Sequence, residues 1–230
     1  MAGRAGAASW WMVVVLVLMQ SLPGQAVSQE LVVNPTFTPG GGAGVPEGWS
    51  LWRPGWEKAA CRLRGVDGGL LVESGGDPYA VGGVTQEIRS IRAGQAYRIV
   101  AVCELRDIES PFGSVMVRLQ WRKAGRPVHP AGMLVRGPVL TAGKATFSDV
   151  LVAPEGADSA EVSLEVKWPG RGSVLWGRVS MSPAAEPGPR NVRIGTVYLR
   201  PRGSSPQNNL KLWCEQIDEA GRLGLDIVCL

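Results

Sequence analysis

Val115, Val117, Leu119 and Trp121 alternate with Met116, Arg118, Gln120 and Arg122. Val162, Leu164, Val166 and Trp168 alternate in the same way with Ser163, Glu165 and Lys167. In an extended chain successive side chains point to opposite sides, so a period of two sorts apolar residues onto one face and polar residues onto the other. A helix would scatter both sets around its circumference. These stretches therefore read as strands with one buried and one wet face, and the alternation places Trp121 and Trp168 in the core.

Other segments fit the same scheme. Leu31 to Val33 opens the series, followed by the Gly/Pro-rich loop from Pro39 to Gly48. Val84 to Ile88 and Ala96 to Cys103 flank a turn at Arg92-Ala-Gly-Gln95. The 31 glycines and 17 prolines supply the turns, and no helical period intervenes between Glu30 and Pro183. Many short strands about ten residues apart predict an antiparallel β-sandwich over residues 29–182, so the chain is mainly β. With 45% hydrophobic and 19% charged residues, the chain can fill such a core.

Three of the nine tryptophans, Trp49, Trp52 and Trp56, crowd into one loop, where Arg53 and Pro54 break any strand period. They are the candidate ligand-binding residues, because an exposed loop of flat aromatic faces offers a stacking surface. A second placement stays open, in which Trp49 and Trp52 plug one end of the core.

Four cysteines stand at 61, 103, 214 and 229. Cys61 and Cys103 fall in strands of one domain and are candidates for a disulfide, with four small buried thiols as the other reading. Other chemistry is hard to find. His129 is the single histidine and sits in Arg126-Pro-Val-His-Pro130, a solvated loop. No serine-histidine-acid set, clustered zinc ligands or phosphate loop is legible, so no catalytic residue, metal or cofactor is assigned. A net charge of +4 without a basic stripe gives no reason to expect a nucleic-acid partner.

Residues 1–28 read as a secretory signal peptide. Arg4 provides the positive start, Trp10 to Met19 gives ten uncharged apolar residues, and Ala26-Val-Ser28 offers small residues for cleavage before Gln29. An uncleaved anchor is the other reading, although a spanning helix needs about 20 residues. Export to the medium, periplasm or cell envelope is expected, with no membrane association after cleavage.

Pro183-Ala-Ala-Glu-Pro-Gly-Pro189 reads as a stiff linker. Beyond it, Asn191 to Leu199 is a β-branched strand and Ser205-Pro206 caps a helix, with Ser204 as a second candidate cap. Leu210, Trp213, Cys214, Ile217, Ala220 and Gly221 share one helix face, Gly224 stops the helix, and Leu225 to Leu230 forms a second strand. A helix crossing between two strands makes them parallel, so residues 190–230 form a βαβ unit.

The first domain resembles a galactose-binding-like jelly roll of the carbohydrate-binding-module type. Asn34-Pro-Thr-Phe37 before Gly48-Trp49, Val84 to Ile88 with Ala93 to Tyr97, Ala153 to Ala157, and the closing strand from Gly172 to Met181 carry the likeness. It implies a carbohydrate or other small ligand. Where the family carries acidic calcium ligands this chain has Thr38 and Trp176-Gly-Arg178, so the resemblance does not extend to a calcium site.

The terminal unit resembles the start of the carbon–nitrogen hydrolase (nitrilase and amidase) superfamily, through Val192 to Leu199, Asn209-Leu210, Glu219 to Gly224 and Leu225 to Leu230. The resemblance implies hydrolysis of non-peptide C–N bonds by a Glu-Lys-Cys triad. None of those three can be assigned, because the first would follow Leu230, so residues 1–230 are expected to be inert alone. The resulting expectation is an exported sandwich module joined to an incomplete hydrolase domain. The alternative is a non-enzymatic, secreted carbohydrate-binding or structural sandwich whose terminal unit packs on it.

Overall fold

In the computed structural model the described residues are 29–38, 44–130, 132–189 and 191–230. The expected signal peptide lies outside them. The strands run β1 (Ser50–Trp52), β2 (Arg62–Val66), β3 (Gly69–Glu73), β4 (Val81–Ile88) and β5 (Ala96–Arg106). A one-turn helix, α1 (Pro111–Ser114), leads into β6 (Val115–Lys123), β7 (Arg126–Pro127) and β8 (Met133–Leu134). The chain continues through β9 (Val139–Thr141), β10 (Lys144–Val152), β11 (Ser159–Lys167) and β12 (Ser173–Ala184). It closes with β13 (Ile194–Thr196), α2 (Pro206–Arg222) and β14 (Ile227–Cys229).

Two antiparallel sheets of six strands face each other. The first is ordered β1-β4-β11-β6-β7, with β8 also on β6, and the second β2-β3-β12-β5-β10-β9. The alternating residues meet between them. Val115, Val117, Leu119, Trp121, Val162, Leu164 and Val166 from the first sheet share the core with Val72, Tyr97, Ile99, Phe147, Trp176 and Met181 from the second. This is the expected antiparallel sandwich.

A bulge keeps β12 in step with that core. Its register against β5 shifts between Trp176 and Arg178. Val174 and Trp176 point inward before the bulge, and Val179 and Met181 point inward after it. One extra residue, Gly177, restores the parity that would otherwise turn Val179 and Met181 to water.

The opening segment departs from expectation, for Leu31 to Val33 forms no strand. Side chains hold it instead. Gln86 accepts from the Val33 N–H at 2.7 Å and donates to the Val33 carbonyl at 2.8 Å. Glu30 accepts from the Met181 N–H at 2.9 Å. The linker also starts later than its composition indicates: Pro183 and Ala184 belong to β12, paired with Tyr97 and Ala96.

The terminal unit forms as expected. β13 and β14 are parallel, though each is only three residues long. Ser205 is the N-cap, its hydroxyl accepting from the Asn208 N–H at 3.2 Å. Gly224, at φ +66°, ends the helix, with its N–H on the Gly221 carbonyl and the Leu225 N–H on the Ala220 carbonyl. That bond pair is a Schellman motif. Packing of this unit on the sandwich would cover the face from Leu210 to Ile217, yet both residues are exposed and only Ala220 in the helix is buried. Among the described residues, no helix is long and apolar enough to cross a membrane.

Close packing of β4 against β11 depends on Gly83. A Cβ placed there would stand 1.9 Å from the Leu164 carbonyl oxygen, a backbone atom that cannot rotate away. Gly83→Ala should therefore cost at least about 1–3 kcal/mol. Denaturant unfolding checks this, and an unchanged midpoint would contradict it.

Candidate functional site

β11 lies at the centre of the first sheet, between β4 and β6. Its inward residues are apolar, so Glu161, Ser163, Glu165 and Lys167 lie on the outer face. Cross-strand register aligns Trp52, Gly83, Glu165 and Met116 in one row and Ser50, Thr85, Ser163 and Arg118 in the next. The outer face thus carries one aromatic residue at its β1 edge and a band of charged and hydroxyl groups across its middle.

That band is tightly connected. The Glu165 side chain is only 3% exposed, and its Oε2 accepts from Lys167 Nζ at 2.9 Å and from Arg118 Nη2 at 3.2 Å. Two cations on one buried carboxylate offset the cost of burying its charge and hold each other in place. The Lys167 ammonium also lies 5.7 Å from the centre of the Trp52 ring, close enough for a cation–π contact. Beside this group Arg122 pairs with Glu161 at 2.9 Å and donates to Gln120 Oε1 at 3.1 Å. The face therefore presents donors and acceptors at set positions next to an aromatic ring.

The three clustered tryptophans separate. Trp49 is buried, its ring centre 5.1 Å from that of Phe37 and its Nε1 donating to the Asn34 carbonyl at 3.2 Å. It plugs the core. Trp52 is half-buried on the sheet face. Trp56, 78% exposed, projects from the loop ahead of a single turn at Glu57–Ala59.

Trp168 corrects the expectation that it is a core residue. Trp121 is buried, but Trp168 is 63% exposed. The strand ends at Lys167, and Trp168 adopts a left-handed φ of +51° that turns its side chain out of the alternation. The signal in the sequence was the Pro169-Gly170 pair directly after it, which stops a strand.

The pairing considered for Cys61 and Cys103 is absent: all four cysteines are free, those two buried and Cys214 and Cys229 exposed. Cys61 leads into β2, while Cys103 lies in β5, with β3 and β12 between those strands. The Cys61 N–H donates to the Val81 carbonyl of β4, so Cys61 sits against the first sheet and Cys103 in the second; stacked sheets lie about 10 Å apart, against about 4.4–6.8 Å between the Cα atoms of a disulfide. Burial pushes both thiols from 9.0 up to about 12, with the Asp77 charge adding to the effect at Cys61. His129 lies exposed in its loop. Among the described residues, no three His, Cys, Asp or Glu side chains cluster as a metal site would require.

No family model matches the chain, and no curated protein matches it. Several solved structures are similar in fold. The CBM22-1 xylan-binding domain from Paenibacillus barcinonensis Xyn10C aligns at 11% identity and a TM-score of 0.45, over 69% of this chain and 97% of that one. A family 29 carbohydrate-binding module complexed with mannohexaose aligns at 13% and 0.41, over 68% and 92%. The enzymatically active domain of bacteriophage CBA120 tailspike protein 4 aligns at 13% and 0.46, over 60% of this chain but only 20% of that one. At these identities and TM-scores the likeness carries no functional argument.

The thiols make a direct check on the geometry. At pH 8 a thiol reagent should label Cys214 and Cys229 at once, and Cys61 and Cys103 only after denaturation. Because folding raises the pKa of both buried thiols, the unfolded chain loses their protons first. Their contribution to stability is complete below pH 9.0 and is lost as pH rises toward about 12. Four fast-reacting thiols, or a peptide linked between Cys61 and Cys103, would contradict this arrangement.

Proposed function

We propose that this chain is an exported carbohydrate-binding module and that a sugar chain lies across the outer face of the first sheet. The observation that carries the reading is the placement of Trp52 beside the Glu165, Lys167 and Arg118 group. Sugars present an apolar ring face and a rim of hydroxyls that both donate and accept. Trp52 offers a surface for the first. Glu161, Gln120, Thr85 and the two arginines offer partners for the second. These groups are held by strands and by one another, so little ordering cost remains for binding. The band mixes both signs of charge, which suits a neutral chain better than a polyanion. Export rests on residues 1–28 alone.

A second reading, the front of a carbon–nitrogen hydrolase, is favoured by one observation: the parallel pair β13 and β14 joined through α2, with the helix face at Leu210 and Ile217 open. It attributes no catalysis to residues 1–230. Reading the gene beyond codon 230 for a Pro-Glu pair, with a lysine and a cysteine further on, tests it.

The sheet-face reading is tested by calorimetric titration of the full chain with xylohexaose, mannohexaose and cellohexaose. At least one should bind, and Trp52→Ala should weaken it by about tenfold or more, the loss expected for a central aromatic anchor. Binding that survives both Trp52→Ala and Gln120→Ala would remove the sheet face from the proposal.

A further inference from the structure

The side chain of Glu30 holds the opening segment against β12. Its Oε1 accepts from the Leu31 and Val32 N–H groups at 3.0 Å each and from the Met181 N–H at 2.9 Å, while its Oε2 accepts from the Ser180 hydroxyl at 2.6 Å. The Leu31 N–H in turn donates to the Met181 carbonyl at 2.8 Å. Gln29 stands immediately ahead of this anchor and is exposed. With Leu31, Ile91, Arg92, Tyr97 and Pro183 it lines a cleft of about 480 Å³, in which Arg92 is the one charged side chain of the described lining.

The bond after the small-residue run Ala26-Val-Ser28 is the one expected to be cut on export, and cutting it gives Gln29 a free α-amine. A glutamine in that position carries both a nucleophile and an electrophile. Its α-nitrogen and its side-chain amide carbon belong to one residue, so their reaction is intramolecular and closes an unstrained ring. An α-amine titrates near about 8, which leaves about a tenth of it as the unprotonated nucleophile at neutral pH. Because Gln29 is exposed and the anchoring bonds begin at Glu30, the fold does not hinder ring closure.

We propose that Gln29 is a modification site, converted to pyroglutamate in the mature protein. The α-nitrogen attacks Cδ of its own side chain and the Cδ–Nε2 bond breaks. Ammonia leaves, carrying the proton that the α-nitrogen gives up, and no oxidant, reductant or second substrate is consumed. Before cleavage the same nitrogen belongs to the Ser28–Gln29 peptide bond and cannot attack, so the ring forms only on the processed chain. This inference rests on the export reading of residues 1–28. Ring closure also changes the cleft: an open terminus adds an ammonium to the lining that holds Arg92, whereas the lactam is neutral and adds a carbonyl acceptor. The mature chain then lacks the free terminal amine that an aminopeptidase requires.

The test expresses the full chain in a host that exports it and measures the intact mass of the fresh protein, then the mass of its N-terminal peptide. The chain should start at Gln29 and be lighter than the unmodified form by one ammonia. It should resist stepwise degradation from its amino end until pyroglutamyl peptidase removes the ring and exposes Glu30. Gln29→Ala should be cut at the same bond, show no loss of ammonia and be degraded directly. Closure during handling is separated by a second intact mass after incubation, because the loss of ammonia should already dominate at collection. A free Gln29 amine at collection would overturn the proposal and leave export standing. A start at another residue would overturn it together with the cleavage site, and retention of residues 1–28 would remove the export reading itself.

Discussion

The sandwich depends on a strand that is buried on both sides. On its inner face β11 inserts Val162, Leu164 and Val166 into the core, and on its outer face Ser163 and Glu165 are buried as well. A carboxylate in that position is tolerable only if it is paired, because desolvating an isolated charge costs several kcal/mol. Lys167 and Arg118 supply the pairing from β11 itself and from β6. The same ion group brings the Lys167 ammonium over Trp52 on β1, so one electrostatic requirement links strands at the centre and the edge of the sheet.

Parity governs the rest of the β domain. Side chains alternate without choice along a strand, so any residue that must face the other way needs a bulge or a change of backbone region. β12 uses a bulge at Gly177 to return Val179 and Met181 to the core. The end of β11 uses a left-handed residue to expel Trp168. The first device serves packing and the second creates surface. Both are local, and each redirects a large side chain by about half a turn.

The terminal unit is organised by different forces. Its helix is capped at both ends by bonds within the unit, through Ser205 and Gly224. Among the described residues, its two short strands pair only with each other. Leu210, Ile217, Ile194 and Ile227 remain exposed, so the amphipathic pattern is present while much of the apolar face it defines is uncovered. An apolar face of that kind has a larger surface to lose to a partner than a sandwich strand has, because the sandwich already buries its own.

The sequence by itself determined the longer strands, the terminal helix and the class of fold, though not the opening segment at Leu31 to Val33, which side chains hold in place of a strand. Period-two alternation admits only strands, and the Ser-Pro cap with a glycine stop admits only a helix between residues 205 and 224. Both are short-range consequences of backbone geometry. Much of the candidate site was not legible, because it depends on which strands become neighbours. Trp49, Trp52 and Trp56 are equivalent as letters in one loop, yet pairing of β1 with β4 places Trp52 on the sheet face, while Phe37 draws Trp49 into the core. Glu165 and Arg118 are 47 residues apart and meet only because β11 and β6 adjoin. Cys61 and Cys103 look pairable along the chain, but Cys61 is bonded to β4 of the first sheet while Cys103 lies in β5 of the second. Local rules set what each segment is; the tertiary structure decided which segments touch, because register and sheet order are settled by burying the whole core at once.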